Sequence, residues 1–110
     1  MKRLVRPTTY GLVAAGAPDC YMPDLARTGG VTGWLRSAGV AGLPMSTHFY
    51  PEFSAHLMRV TETADWLEWF DSSVPFLAEP FEIRDGAIHV PDRLGAGIAW
   101  DEVAVKKFAI

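Results

Sequence analysis

The stretch PMSTHFYPEFSAH, residues 44–56, joins a short apolar and hydroxyl-bearing run to a histidine and a helix start. The run is bounded by Gly42 and Pro51, as strands between turn residues commonly are. Pro51 has no amide N–H and is tolerated in the first turn of a helix, so we expect a helix to begin near Tyr50. His48 then lies in a loop between strand and helix, where α/β folds commonly place catalytic groups.

Further strands and helices are predicted on both sides of this stretch. The sequence predicts strands over residues 19–23, 43–47 and 66–70, separated by helices over 33–40 and 51–62. Strands that alternate with helices are typical of parallel pairing with right-handed crossovers. Asp24, His48 and Glu68 lie one βα unit apart, so we expect their side chains to converge at one end of the sheet.

The spacing of apolar residues predicts which face of each helix is buried. Thr32 is the predicted N-cap of the first helix. The predicted core-facing residues are Trp34, Leu35 and Ala38 in the first helix and Phe53, Leu57 and Val60 in the second.

Composition limits the classes of partner and location. The 110 residues are 49% hydrophobic, enough for a packed core, and the net charge is −3 without a basic cluster, so we expect no nucleic-acid partner. Cys20 is the only cysteine, which excludes an internal disulfide, and we interpret it as a core residue. Because neither a secretory signal nor a membrane span is recognisable, we expect a cytoplasmic protein without a membrane partner.

The remainder of the chain breaks the strand and helix alternation. Residues 81–84 and 87–90 are predicted to form a hairpin through a type I′ turn at Asp85 and Gly86. Asp101 is the predicted cap of a short terminal helix with Lys106 and Lys107 near its end. We therefore divide the chain into an unassigned segment over 1–13, a domain of alternating strands and helices over 14–80, and a hairpin and helix over 81–110.

Four motifs carry a resemblance to a known family: MPDLARTGGVTGW at 22–34, PMSTHFYPEFSAH at 44–56, DWLEW at 65–69 and VPDRLGAGIAWDE at 90–102. In this order and spacing they resemble the C-terminal part of the mandelate racemase and muconate lactonizing enzyme branch of the enolase superfamily. The resemblance covers about residues 14–110. It implies an α/β fold, the C-terminal part of a (β/α)-barrel with about three βα units, followed by the hairpin and helix.

The resemblance also implies a chemistry. Members of that family bind Mg²⁺ and a small carboxylate substrate, and a base removes the proton next to the carboxylate. His48 would be the base, or the acid that returns a proton in a dehydration, and Asp24 would orient its imidazole and raise its basicity. Glu68, if protonated, would donate a hydrogen bond to the enediolate oxygen or the substrate carboxylate. The implied activity is that of a racemase-like isomerase or a dehydratase of a hydroxy acid or acid sugar.

The metal is the main departure from that pattern. The family takes its Mg²⁺ ligands from carboxylates at three earlier strands, and no acidic residue precedes Asp19 here. A complete barrel needs about 250 residues, so we expect a C-terminal fragment that forms a homo-oligomer or associates with the missing barrel portion. The alternative is a non-catalytic remnant or interaction module without the metal site.

Two other sites compete for the same residues. His48, Glu52 and His56 recur every four positions, as metal ligands on a helix do, but Pro51 places His48 outside that helix. We therefore interpret Glu52 as a helix-start charge and His56 as a partly buried helix residue. A hydrolytic triad of Ser46, His48 and Asp24 is disfavoured because Ser46 is not on a nucleophile elbow.

Overall fold

The computed structural model describes residues 9–16 and 18–109. Its elements in chain order are α1 (Thr9–Ala14), α2 (Gly30–Ala41), α3 (Pro51–Met58), a 3₁₀ turn (Val74–Phe76), β1 (Glu82–Arg84), β2 (Ala87–His89) and α4 (Glu102–Phe108). Residues 1–8, which fall in the unassigned segment, lie outside the described residues. Within the described ranges, no helix combines the length and the hydropathy needed to cross a membrane.

Three extended segments lie side by side in parallel, and the central one contains Met45. Its neighbours are Tyr21 on one side and Ala64 on the other. Tyr21 N–H donates to Pro44 at 2.9 Å, and Asp65 N–H donates to the Met45 carbonyl at 2.8 Å. Helices α2 and α3 connect the segments, so the predicted parallel order with two helical crossovers is present.

The prediction of three regular strands was wrong, because each segment pairs through isolated bridging residues. On the third segment the pairing occurs at Ala64, before the predicted start at Trp66. Beyond that point the backbone pairing is partial: Thr47 N–H donates to the Trp66 carbonyl at 3.0 Å, but Trp66 N–H donates to Ser46 Oγ and Glu68 N–H donates to Thr47 Oγ1. A regular ladder needs backbone carbonyls as acceptors, and here two hydroxyl groups take their place.

A small core lies between the parallel segments and the two helices. Trp34 and Met45 are fully buried, and they pack with Leu25, Ala41 and Leu57. Trp34 Nε1 donates to Thr61 Oγ1 at 3.0 Å, so the buried indole has a polar partner.

Several predicted core residues lie elsewhere. Leu35 and Phe53 are 45% and 41% exposed, and Val60 is 68% exposed, whereas Trp34 and Leu57 are buried as predicted. Val60 is exposed because α3 ends at Met58, and the Val60 N–H returns to the Leu57 carbonyl in a turn. Cys20 is exposed as well, which corrects its assignment to the core.

Helix α2 begins earlier than predicted, and its entry depends on glycine. Its N-cap is Gly29, with a left-handed φ of 95°, and Thr32 lies inside the helix. The Thr28 carbonyl approaches Gly33 so closely that a Cβ atom there would lie 1.7 Å from the oxygen. The chain therefore enters α2 through a backbone contact that a side chain at position 33 would prevent.

The C-terminal part follows its local predictions. Asp85 and Gly86 have φ values of 53° and 74°, as a type I′ turn requires, and they join β1 to β2. Asp101 caps α4, because its side chain accepts from the amides of Val103 and Ala104.

We expect Gly33→Ala to destabilise the chain by about 1–3 kcal/mol, because the new methyl group must displace the Thr28 backbone. The matched control is Gly39→Ala in the same helix, where nothing lies within 4 Å of the new methyl group. That variant should be more stable by about 0.5–1 kcal/mol. Urea unfolding of both variants measures the difference, and equal effects would contradict the proposed backbone contact.

Candidate active site

Asp24 and His48 form a pair where the first and central parallel segments end. The two residues lie opposite each other in a parallel bridge. His48 Nδ1 lies 3.3 Å from Asp24 Oδ2, and the side chains are 39% and 14% exposed, respectively. The structure thus brings together the two residues that the sequence placed at neighbouring strand ends, and leaves the imidazole accessible.

The Asp24 carboxylate is held in its charged form. The Arg27 N–H donates to Asp24 Oδ1 at 3.0 Å. This backbone hydrogen bond, followed by the contact with His48, lowers the pKa of Asp24 below its usual value, against the opposing effect of burial. A charged acceptor therefore faces the histidine.

The carboxylate orients the imidazole. When Nδ1–H donates to Asp24 Oδ2, a neutral ring keeps its lone pair on Nε2. The other two histidines have different partners: His56 Nε2 lies 2.9 Å from the Ala96 carbonyl, and the Arg84 guanidinium lies 3.3 Å from His89 Nδ1. His48 is thus the histidine whose Nδ1 faces a carboxylate, and in that tautomer its Nε2 can accept a proton.

Glu68 reaches the same place from the third segment. Its Oε2 accepts the Phe49 N–H at 2.8 Å, next to His48 in the chain. Its own N–H donates to Thr47 Oγ1 at 2.8 Å. The three predicted site residues therefore converge, with one Glu68 oxygen bonded to the backbone of the His48 loop.

An aromatic cluster borders the pair. The Phe49 ring contacts the rings of His48 and Phe70 edge to face, with centroid distances of 4.8 and 5.0 Å. These rings give the imidazole an apolar flank, on which an apolar part of a substrate could pack.

The competing sites are not assembled. Among residues 9–16 and 18–109, no group of three His, Cys, Asp or Glu side chains could hold a metal ion. Ser46 Oγ accepts from Trp66 N–H and lies 3.5 Å from Cys20 Sγ, so its hydroxyl is engaged away from His48.

The sequence interpretation missed the residues that support the site. Thr47 and Ser54 are fully buried, and both bond backbone groups around His48. Glu52 lies in the first turn of α3, as its interpretation as a helix-start charge predicts, but it is buried and accepts from Ser73 Oγ. The available signal was the position of short polar residues beside buried apolar ones: Thr47 lies two positions after Met45, and Ser54 directly precedes Ala55.

Comparison with known families gives a match over most of the chain. Residues 7–104 match the family described as Enolase C-terminal domain-like. The match includes the segments that carry Asp24, His48 and Glu68.

Individual relatives agree with this match. The chain is 33% identical over 96 residues to the L-talarate/galactarate dehydratase of Salmonella typhimurium, covering 84% of this chain and 24% of that protein. An enolase from alpha proteobacterium BAL199 with bound Mg has a TM-score of 0.83 and 57% identity, covering 86% of this chain and 27% of that one. A Bradyrhizobium enolase complexed with magnesium and mandelic acid has a TM-score of 0.79 and 48% identity, with the same coverage. The chain thus spans about a quarter of the length of these relatives.

We expect Thr47→Val to cost about 1–3 kcal/mol, since it leaves the Glu68 N–H without its acceptor. Thr63→Val is the matched control, because Thr63 Oγ1 is buried without a partner within the described part of the chain. Removing that hydroxyl should be neutral or stabilising. Chemical denaturation of the two variants gives the comparison, and a neutral Thr47→Val would refute the role of this hydroxyl.

The lowered pKa of Asp24 predicts a pH-dependent contribution to folding. Above pH 3.8, the ordinary pKa of an aspartate side chain, the charged carboxylate stabilises the folded chain. This contribution disappears as the pH falls through the lowered pKa that Asp24 has in the folded state. Asp24→Asn keeps an acceptor for Arg27 but removes the charge, so the stability difference from wild type should shrink between about pH 6 and about pH 3. The exposed Asp92→Asn is the control, and the prediction fails if the Asp24→Asn difference is the same at both pH values.

Proposed function

The chain belongs to the Enolase C-terminal domain-like family, and from this premise we propose that it supplies the proton-transfer pair of an enzyme acting on small carboxylates. The observation that carries the proposal is the Asp24–His48 pair, in which a charged carboxylate lies 3.3 Å from Nδ1 of an accessible imidazole. The substrate class is a hydroxy acid or an acid sugar, since one relative is named for talarate and galactarate and another is complexed with mandelic acid.

The proposed step is removal of the proton next to the substrate carboxylate. The C–H bond breaks, the proton passes to His48 Nε2, and the electron pair moves into the carboxylate to give an enediolate. Asp24 holds the ring at Nδ1 and stabilises the imidazolium that forms. Racemisation would return a proton to the same carbon, whereas dehydration would return it to a departing hydroxyl group.

Glu68 is proposed to face the substrate through Oε1. Its Oε2 is bonded to the Phe49 amide, so Oε1 is the oxygen proposed to contact the substrate carboxylate or the enediolate. Protonated Glu68 would act there as a hydrogen-bond donor.

Residues 9–16 and 18–109 do not fit a magnesium site, because they offer no cluster of three metal-ligating side chains. The two enolases in the comparison contain magnesium. We propose that carboxylates outside this chain hold the ion, in a polypeptide that completes the barrel against the parallel segments. A second copy of the chain is the alternative partner for those segments.

The experiment is a chimera of the BAL199 enolase in which this chain replaces the matching C-terminal quarter. Exchange of the substrate α-proton with solvent deuterium is measured with magnesium and two substrates, mandelic acid and galactarate. His48→Asn should reduce exchange by about 10²–10⁴-fold, the usual contribution of a general base. His89→Asn, on the exposed hairpin, is the control and should leave exchange unchanged.

Two outcomes oppose the proposal. Exchange that survives His48→Asn unchanged removes the assigned role of His48. A folded chimera that binds magnesium but exchanges neither substrate, under conditions in which the unmodified BAL199 enolase exchanges one of them, favours the second candidate, a non-catalytic module. The absence of a metal cluster among the described residues is the observation that supports this second candidate.

A further inference from the structure

Two consecutive residues after His48 have left-handed backbone conformations. Phe49 has a φ of 60° and Tyr50 a φ of 53°, and neither is glycine. Such conformations cost free energy in residues that carry a Cβ atom, and they persist only where the surrounding structure enforces them. We call residues 49–50 the left-handed turn.

Ser54 bonds to both residues of the left-handed turn. Its Oγ donates to the Phe49 carbonyl at 3.0 Å, and its N–H donates to the Tyr50 carbonyl at 2.8 Å. The Ser54 side chain is fully buried in the first part of α3. A hydroxyl removed from water and committed to one carbonyl fixes the orientation of that peptide.

The turn is held from the opposite side by Glu68, whose Oε2 accepts the Phe49 N–H. Both polar backbone groups of Phe49 are therefore fixed, one by α3 and one by the third parallel segment. Since His48 directly precedes Phe49, the direction in which the imidazole leaves the backbone depends on these two bonds.

We propose that Ser54 is a positioning residue that holds the left-handed turn and thereby aligns the His48 ring with Asp24. The alignment itself follows from the geometry of this chain, and its consequence for proton transfer rests on the proposed function. A residue that serves only to pack α3 would affect stability without affecting the His48 ring.

The test is NMR of the full chain with isotope-labelled histidine, which has three reporters at His48, His56 and His89. Ser54→Ala should shift the His48 ring signals, because the ring moves relative to Asp24 and to the Phe49 ring 4.8 Å away. The shift should exceed any change at His56, which lies on the same helix. The control Ser37→Ala, at a buried serine of α2, should leave the His48 signals in place.

Rescue separates positioning from packing. Tyr50→Gly allows a φ of 53° without a Cβ penalty, so adding it to Ser54→Ala should return the His48 signals toward those of wild type. Asp85→Gly, at the same φ in the hairpin turn, is the matched control and should not return them. If Ser54→Ala alone does not fold, Ser54→Cys replaces it, because a thiol fills the same place but is a weak hydrogen-bond donor to the Phe49 carbonyl. Shifted His48 signals in that variant support the proposal, and unmoved signals overturn it.

A Ser54→Ala protein with lowered stability and unmoved His48 signals overturns the proposal. The proposal is also overturned if Asp85→Gly returns the shifted His48 signals toward those of wild type to the same extent as Tyr50→Gly. The NMR signals report the position of the His48 ring and do not depend on turnover. Deuterium exchange that survives His48→Asn would therefore contradict the proposed function, but it would not contradict the coupling of Ser54 to His48.

Discussion

The hydrogen bonds that the central parallel segment makes on both sides are the interaction on which the other features depend. Met45 bonds to the third segment, and its neighbours Pro44 and Ser46 bond to Tyr21. These bonds set the register that brings Asp24 beside His48 and Glu68 beside Phe49. A shift of one residue would turn the side chains of one segment to the opposite face, so the site exists in this register alone.

Features fixed by local chemistry could be predicted from the sequence. Pro51 starts α3, Asp101 caps α4, and Asp85 with Gly86 forms the hairpin turn, because each depends on a residue's own backbone preference or on amide donors two or three positions away. The convergence of Asp24, His48 and Glu68 could also be predicted, since parallel crossovers return each segment to the same end of the sheet.

Features fixed by distant partners could not be predicted in the same way. Leu35 and Phe53 have helical spacing, yet the face that α2 and α3 bury is chosen by what they pack against. The roles of Thr47 and Ser54 depend on single hydrogen bonds that serine and threonine make in many settings. Regular strands do not form where hydroxyl side chains, rather than backbone carbonyls, accept hydrogen bonds from the neighbouring segment. The alternation of apolar and polar residues in the sequence does not predict where this occurs.

The parallel arrangement also affects the order in which the chain can fold. The Asp85–Gly86 turn joins strands that are adjacent in sequence, so β1 and β2 can pair within one small loop. Met45 gains Tyr21 and Ala64 as neighbours only after two long loops close, each containing a helix. Loop closure costs chain entropy before any contact repays it, and distant pairings therefore form slowly. Asp24 and His48 meet only when the first of those loops closes, so we expect the proton-transfer pair to be among the last parts of the chain to assemble.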